Sequence, residues 1–179
     1  MDRVRLNHSV FYNEEEVREL ENLAAEGNVE AGIEIAARQI EDGINTEENF
    51  AFLEEQCKKN NPRAFVRLGL VYVGENNDEL AEEYFLKGAE LGSAWAMMFV
   101  GTHKWYKVWM DGGKDATEQD FIDAEKWLRL SVEASKKPDN DINESGVVQA
   151  RDQLSMLYGY KHPKNSVYNP EKAKEWEVE

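Results

Sequence analysis

Residues 64–92 read AFVRLGLVYVGENNDELAEEYFLKGAELG, and this stretch decides the fold. Its first half sets small and large apolar residues three and four positions apart, as one face of a helix requires: Ala64, Leu68, Gly69 and Tyr72. Its second half has a similar arrangement between Ala81 and Gly92. Small residues let two helices approach closely, and an aromatic side chain one turn away fills the space behind them. The stretch therefore predicts two helices packed tightly against each other.

The same arrangement recurs along the chain, which predicts a repeat protein. First helices carry four leading alanines, separated in turn by 33, 32 and 54 residues: Ala31, Ala64, Ala96 and Ala150. Second helices carry three further alanines: Ala81, Ala124 and Ala173. Helical repeat arrays need about three stacked units for stability, and this chain has that many. An ordinary helical bundle, in which the same spacings reflect core packing alone, is the alternative.

Capping residues divide the chain into about nine helices joined by short loops. The predicted helices span 14–26, 29–42, 46–59, 62–74, 78–91, 93–110, 121–136 and 146–160, with a short last helix from 170. Asn61-Pro62 and Asn169-Pro170 combine the preferred residues for the cap and the first turn of a helix. Strict alternation of apolar and polar residues, which is typical of strands, is absent from the sequence. We therefore expect an all-α fold of antiparallel helix hairpins.

The residues just described resemble Sel1-like repeats, which are relatives of tetratricopeptide repeats. The resemblance extends over residues 14–179 and is strongest between Ala64 and Gly92. The preceding copy has Asn49 and Phe52 where the repeat usually has alanine and tyrosine. Glu26-Gly27 resembles the end of a still earlier copy.

This resemblance implies a right-handed α-solenoid, a stack of antiparallel helix pairs, forming a single domain over residues 1–179. Residues 1–13 are then an N-terminal extension, and an insertion is expected at about 102–123. The resemblance also implies binding to other proteins. Sel1-like proteins act as adaptors, and some small ones are immunity proteins that cap a toxin.

The charge of the chain excludes several classes of partner. There are 36 acidic and 21 basic residues among 179, a formal net charge of −15. General binding to nucleic acids or to anionic membranes needs the opposite sign. The charge is concentrated early in the chain, because residues 1–60 carry −9, residues 61–120 carry −4 and residues 121–179 carry −2. An acidic end suits a basic protein partner, or it serves solubility alone.

Targeting and redox features favour a reducing cytoplasm. The N-terminal residues lack the apolar segment of a secretory signal, and no apolar run approaches the ~20 residues of a membrane span. Cys57 is the single cysteine, so the chain cannot form an internal disulfide. We therefore expect a cytoplasmic protein, either monomeric or weakly dimeric.

No catalytic, metal or cofactor motif is found in the sequence. The three histidines, His8, His103 and His162, are not at metal-ligand spacing. Cys57 has no histidine placed to activate it, and the Asp139-Asn140-Asp141 run lacks the glycine and the closing glutamate of a calcium-binding loop. Phosphate-binding and dinucleotide-binding glycine motifs are also missing. We expect a protein that is not an enzyme and needs no cofactor, with a hydrolase around His103 as a remote alternative.

A stripe beside the repeat core is the expected binding surface. It lies one residue before, three after and seven after each leading alanine, so its members point the same way. In a solenoid of this type the first helices line the concave face. The candidate partner-binding residues are Trp95, Phe99, His103, Tyr106, Arg67, Val71, Glu34, Arg38 and Gln153. The four aromatic members follow one another on a single helix face, and whether they line a groove or fill the core is left open.

The sequence hypothesis is a protein-binding solenoid without catalytic activity. Its most concrete form is a cytosolic inhibitor or immunity protein that blocks a basic toxin domain, with aromatic anchors and acids that mimic phosphate. A stand-alone adaptor, scaffold or regulator that binds peptide segments in its groove is the alternative. Neither nucleic acid nor membrane is an expected partner.

Overall fold

The computed structural model describes residues 13–177, apart from the side chain of Asp111, and this part of the chain has nine α-helices. They are α1 (Glu14–Ala25), α2 (Val29–Glu41), α3 (Thr46–Lys58), α4 (Pro62–Gly74), α5 (Asp78–Glu90), α6 (Ala94–Trp109), α7 (Glu118–Ser135), α8 (Glu144–Gly159) and α9 (Pro170–Trp176). The all-α prediction is confirmed. Residues 1–12 of the expected extension lie outside the described part. None of the helices in that part combines the length and the apolar character that a membrane crossing needs.

The helices form two compact units. The N-terminal unit, Met1–Leu91, contains α1 to α5, and the C-terminal unit, Gly92–Glu179, contains α6 to α9. Within each unit, helices that follow one another pack together, as in the pairs α4–α5 and α6–α7. The first helices of neighbouring pairs also contact each other, α2 with α4 and α6 with α8. The single domain over residues 1–179 stays a prediction.

Four of the loops between consecutive helices share one design. Each of these loops has a residue in the left-handed region followed at once by the residue that caps the next helix: Gly27-Asn28, Asn60-Asn61, Asn76-Asn77 and Gly92-Ser93. Glycine and asparagine are the residues that adopt this conformation at least cost, and asparagine and serine are preferred caps. The repetition of this local chemistry is the reason that the helix ends could be predicted closely.

Two glycines of the repeat pattern set the distance between paired helices. A Cβ atom on Gly69 of α4 would lie 2.5 Å from Cε1 of Phe85 on α5. A Cβ atom on Gly101 of α6 would lie 2.7 Å from Cγ and 2.9 Å from the backbone nitrogen of Leu128 on α7. Both phenylalanine and leucine stand four residues after the leading alanine of the second helix. The same small-against-large contact is therefore used in both units.

The expected insertion at about 102–123 is mostly helical. It consists of the second half of α6, a 3₁₀ turn at Met110–Gly113, a short loop and the first turns of α7. Helix α7 begins at Glu118 and not at the predicted 121, because Thr117 and Asp120 form a capping box around a polar first turn. Apolar periodicity alone cannot reveal a polar turn of this kind.

Candidate partner-binding surface

The four aromatic candidates on α6 lie partly at the surface and partly on the core. Trp95, Phe99 and His103 are half-buried, and Tyr106 is 53% exposed. The rings of Trp95 and Phe99 stack with centroids 5.4 Å apart, and both pack against the core of the C-terminal unit. Trp95 and Phe99 therefore contact the core and keep part of their surface exposed. Their contact with a partner stays a prediction.

Asp141 fixes the start of the helix that carries these rings. Its carboxylate accepts hydrogen bonds from the Ser93 hydroxyl at 2.5 Å and from the Ala94 backbone nitrogen at 2.7 Å. Ser93 in turn caps the helix through the nitrogen of Ala96. The Asp139-Asn140-Asp141 run lies in the loop before α8, and its Asp141 anchors α6. The contact spans 48 positions in the chain, so local sequence patterns carry no signal for it.

Four of the five charged members of the stripe in the N-terminal unit form a buried ion-pair ladder. We use this name for Glu30 and Glu34 on α2 with Arg63 and Arg67 on α4. Arg63 Nε lies 2.7 Å from Glu30 Oε2, Arg63 Nη1 lies 3.3 Å from Glu34 Oε1, and Arg67 pairs with Glu34. The side chain of Glu34 is 1% exposed and that of Arg67 is 10% exposed. Glu30 with Arg63 and Glu34 with Arg67 are each 33 positions apart, which is the repeat spacing. The sequence spacing alone could therefore have predicted this pairing.

Three stripe candidates therefore lie inside the N-terminal unit rather than on its surface. Glu34, Arg67 and Val71 are buried, because α2 and α4 are neighbours and residues at matching repeat positions meet between them. Arg38 is half-buried, and its Nε lies 3.9 Å from a carboxylate oxygen of Asp42. Of this group, Arg38 alone offers surface to a partner.

Gln153 is buried in the C-terminal unit. Its side-chain oxygen accepts a hydrogen bond from the Thr102 hydroxyl at 2.9 Å, which joins α8 to α6. Leu157, seven residues after Ala150, belongs to the core of the unit, whereas Gln149 is exposed. The stripe on α8 thus follows the pattern seen on α2 and α4, in which the middle position lies between neighbouring helices.

The exposed acidic side chains are concentrated in the N-terminal unit. Residues 1–91 contain 21 acidic and 9 basic residues, a net charge of −12, and the remainder of the chain carries −3. Glu47, Glu48, Glu54 and Glu55 are all exposed along α3. Two of the basic residues, Arg63 and Arg67, are engaged in the buried ladder. Because two glutamates neutralise these arginines within the ladder, the net charge of −12 is carried by the other residues of the unit.

Asp120 holds the end of the aromatic helix against α7. Its carboxylate accepts hydrogen bonds from Lys107 Nζ at 2.8 Å and from the nitrogen and hydroxyl of Thr117 at 2.8 and 2.6 Å. Burial by itself raises the pKa of Asp120, but these hydrogen bonds outweigh it and lower the pKa from 3.8 to about 2. The folded state therefore favours the charged carboxylate.

Asp120→Asn is expected to lower the free energy of unfolding by about 2 kcal/mol at neutral pH. Because the folded pKa is depressed, this stabilisation is fully present above the ordinary pKa of 3.8 and is lost as the pH falls toward 2. Urea unfolding of both proteins across that range should show the difference shrinking to zero. Asp123→Asn on the same helix is the control, with a change below about 0.5 kcal/mol. A difference that is independent of pH would contradict the assignment.

Two further observations concern the cysteine and metal chemistry of the described residues. Burial raises the pKa of the Cys57 thiol to about 12, so the thiol stays protonated at neutral pH and is not a nucleophile. Among residues 13–177, no group of three or more histidine, cysteine, aspartate or glutamate side chains is placed to hold a metal ion.

A comparison with solved structures identifies the architecture. The crystal structure of a Sel1 repeat protein from Oxalobacter formigenes matches 90% of this chain with a TM-score of 0.58 and 18% sequence identity. This chain has the fold of a Sel1 repeat protein. The match spans 61% of the length of that structure, and at this identity the likeness concerns the fold alone. No protein-family model and no curated protein matches the sequence.

The Sel1 fold explains why the glycines of α4 and α6 are equivalent. The chain repeats one helix pair, and the close contact beside Gly69 recurs beside Gly101 because both occupy the same place in the pair.

Proposed function

We propose that this chain is a non-catalytic binding protein for a basic protein, and specifically a cytoplasmic inhibitor that occludes a basic toxin domain. The observation that supports the proposal is the net charge of −12 on residues 1–91. Charge complementarity of this size steers association and makes its rate sensitive to salt.

The acidic residues are available for such a partner. In the described part of the N-terminal unit, the acids along α1, α3 and α5 are mostly exposed, and several pair only with an exposed lysine or arginine one turn away. Exposed pairs of this kind contribute about 0–1 kcal/mol each, so a partner's arginine or lysine displaces them easily. Carboxylates spaced along helices also imitate the phosphates that a nuclease binds.

On the C-terminal unit, the aromatic face of α6 is the proposed apolar contact. Large, half-buried aromatic side chains are the usual anchors of protein interfaces, since their rings are already ordered before binding. Trp95 and Phe99 meet this description because they rest on the core of the C-terminal unit. Tyr106 is the most exposed member. Steric blockade by these anchors and by the acids requires no chemical step.

The test is capture of the partner from the cells that express the chain, followed by binding measurements with the purified pair. We expect a basic partner whose affinity falls at least tenfold between about 50 and 500 mM salt. A variant with Glu47→Lys, Glu48→Lys and Glu54→Lys should bind at least tenfold more weakly at the lower salt concentration. Tyr106→Ala should weaken binding about tenfold, and Met156→Ala, a similarly exposed control, should not.

Two results would contradict the proposal. One is an acidic partner, and the other is an affinity that does not change with salt. The inhibitor role is tested separately by producing the partner alone and together with this chain. Growth arrest that the chain relieves supports an inhibitor, whereas a harmless partner supports the alternative of an adaptor.

A further inference from the structure

Three aromatic rings from three different helices meet on the N-terminal unit. We call Phe50 of α3, Tyr72 of α4 and Tyr84 of α5 the aromatic triad. The ring centroids of Phe50 and Tyr72 lie 6.2 Å apart, and those of Tyr72 and Tyr84 lie 5.3 Å apart. All three side chains are half-buried and pack against the core of the unit. Each ring is therefore held in place while part of its surface stays exposed.

Phe50 departs from the repeat pattern. In three other second helices, the residue that follows the leading alanine is charged: Glu82, Glu125 and Lys174. Phe50 follows Asn49, which takes the place of that alanine, and it is the apolar exception. Packing within the repeat does not require a phenylalanine at this position, since the other helices form with a charged residue there. The presence of Phe50 in the triad therefore needs an explanation other than the repeat.

One cation of this chain already lies on the triad. The Lys87 Nζ atom is 5.6 Å from the centroid of the Tyr84 ring and 2.6 Å from a carboxylate oxygen of Glu83. A positive charge over an aromatic face is attracted by the ring, and the carboxylate adds an ion pair. Within residues 13–177, no lysine or arginine of the chain lies over the rings of Phe50 or Tyr72. Two rings of the triad thus remain for a cation from outside.

The triad lies in an acidic environment even when every helix that carries one of its rings is counted. Residues 46–91 contain ten acidic and five basic residues, and the whole unit carries −12. Glu54 is exposed one turn after Phe50 on α3. Burial raises the pKa of Tyr72 and of Tyr84, and the charge of Glu54 raises both further. This carboxylate therefore lies near the rings.

We propose that the aromatic triad binds an arginine side chain of a basic partner protein. The planar guanidinium stacks on the Phe50 and Tyr72 rings, and its N–H groups donate hydrogen bonds to the Glu54 carboxylate. Arginine fits better than lysine, because a guanidinium can stack on a ring and donate within its own plane at the same time. The inference rests on the proposed function, to which it adds the residue type that the acidic unit recognises.

The experiment is an NMR titration of the whole isotope-labelled chain with a blocked peptide, Gly-Gly-Arg-Gly-Gly, at about 150 mM salt. Matched peptides carry lysine or citrulline, the uncharged isostere of arginine, at the central position. We expect millimolar binding of the arginine peptide, with the largest shifts at the ring signals of the triad. The lysine peptide should bind about threefold more weakly, and the citrulline peptide at least tenfold more weakly.

Two phenylalanine variants separate stacking on the ligand from packing within the fold. Phe50→Leu removes one aromatic face but keeps an apolar side chain, so it should weaken binding of the arginine peptide at least threefold. Phe52→Leu is the matched control. Phe52 is also half-buried on α3, but its ring lies beside Gly32 of α2. This control should bind within about 1.5-fold of the parent protein.

Removal of the chain's own cation is expected to strengthen binding. Lys87→Gln uncovers the Tyr84 ring and releases Glu83, so the arginine peptide should bind about twofold to threefold more tightly. Lys59→Gln changes the net charge equally and releases Glu55, its partner at 2.7 Å. Lys59 lies over no ring within residues 13–177, so its replacement should change the affinity by less than about 1.5-fold. Because Lys87 is exposed, this comparison holds even if a triad variant does not fold.

Three outcomes would overturn the inference. The triad signals could fail to shift at about 20 mM arginine peptide. The arginine and citrulline peptides could bind equally well. Each substitution, Phe50→Leu or Lys87→Gln, could have the same effect as its control.

Failure of the inference is distinguishable from failure of the proposed function. An acidic natural partner contradicts the proposed function and leaves the peptide titration unchanged. A basic partner whose salt-sensitive affinity is the same for the parent protein and for Phe50→Leu contradicts the inference alone.

Discussion

Replacing Glu34 by alanine is expected to lower the free energy of unfolding by about 3–5 kcal/mol. The substitution removes the carboxylate that faces both Arg63 and Arg67 across the buried ion-pair ladder. Two guanidinium groups would then lose a carboxylate in a place with little solvent, although Glu30 remains beside Arg63. An unbalanced charge costs far more in the interior than at the surface. Chemical denaturation of the parent and the variant measures the difference.

A surface pair and an apolar replacement are the controls for this prediction. Glu83→Ala removes an exposed carboxylate that lies 2.6 Å from Lys87, and it should cost less than about 1 kcal/mol. The double variant Glu34→Met with Arg67→Met removes both charges and keeps the volume filled, so it should regain most of the lost stability. Equal losses for Glu34→Ala and Glu83→Ala would show that the ladder is not buried.

Gly101→Val is expected to lower the free energy of unfolding by about 3 kcal/mol. Its Cβ atom would approach the backbone nitrogen of Leu128 to 2.9 Å, and backbone cannot move aside as a flexible side chain can. Helix α7 would have to shift away from α6, which opens the core of the C-terminal unit on that side. The measurement is again denaturation, together with the near-ultraviolet circular dichroism of the tryptophans on α6.

Gly74→Val is the matched control for the packing argument. Gly74 is also a helical glycine, but nothing lies within 4 Å of a Cβ atom built on it. The same substitution should therefore change stability by no more than about 0.5 kcal/mol. Equal losses from the two variants would show that close packing beside Gly101 is not the cause, because valine has a higher helix propensity than glycine at both sites.

The sequence alone was sufficient to predict the helices and their pairing. The leading alanines and the following glycines predicted close helix pairs, and the structure places Ala64, Leu68, Ala96 and Ala150 fully inside. Asparagine and serine caps predicted the beginnings of most helices, because capping is a local interaction between residues two or three positions apart. The first turn of α7 is polar, and there the predicted start of the helix lies three residues after the observed one.

The candidate site was harder to predict because burial depends on neighbours distant in sequence. Glu34 and Arg67 were expected at the surface, since charged residues on helices are usually solvated. Each is buried because the other neutralises it across two adjacent first helices. The contact of Asp141 with the start of α6 and that of Trp109 with Tyr160 were missed for a related reason. These contacts join α6 to segments that follow it by tens of residues, and helical periodicity gives no information on such long-range contacts.

The buried ladder also restricts how this chain can have grown. Repeat proteins lengthen when a helix pair is duplicated beside its parent. In this chain α2 presents glutamates and α4 presents arginines at matching positions. A tandem copy of the α4–α5 pair would set Arg63 and Arg67 against copies of themselves in a place with little water. The α2–α3 and α4–α5 pairs are therefore not interchangeable, because the charges at their matching buried positions have opposite signs.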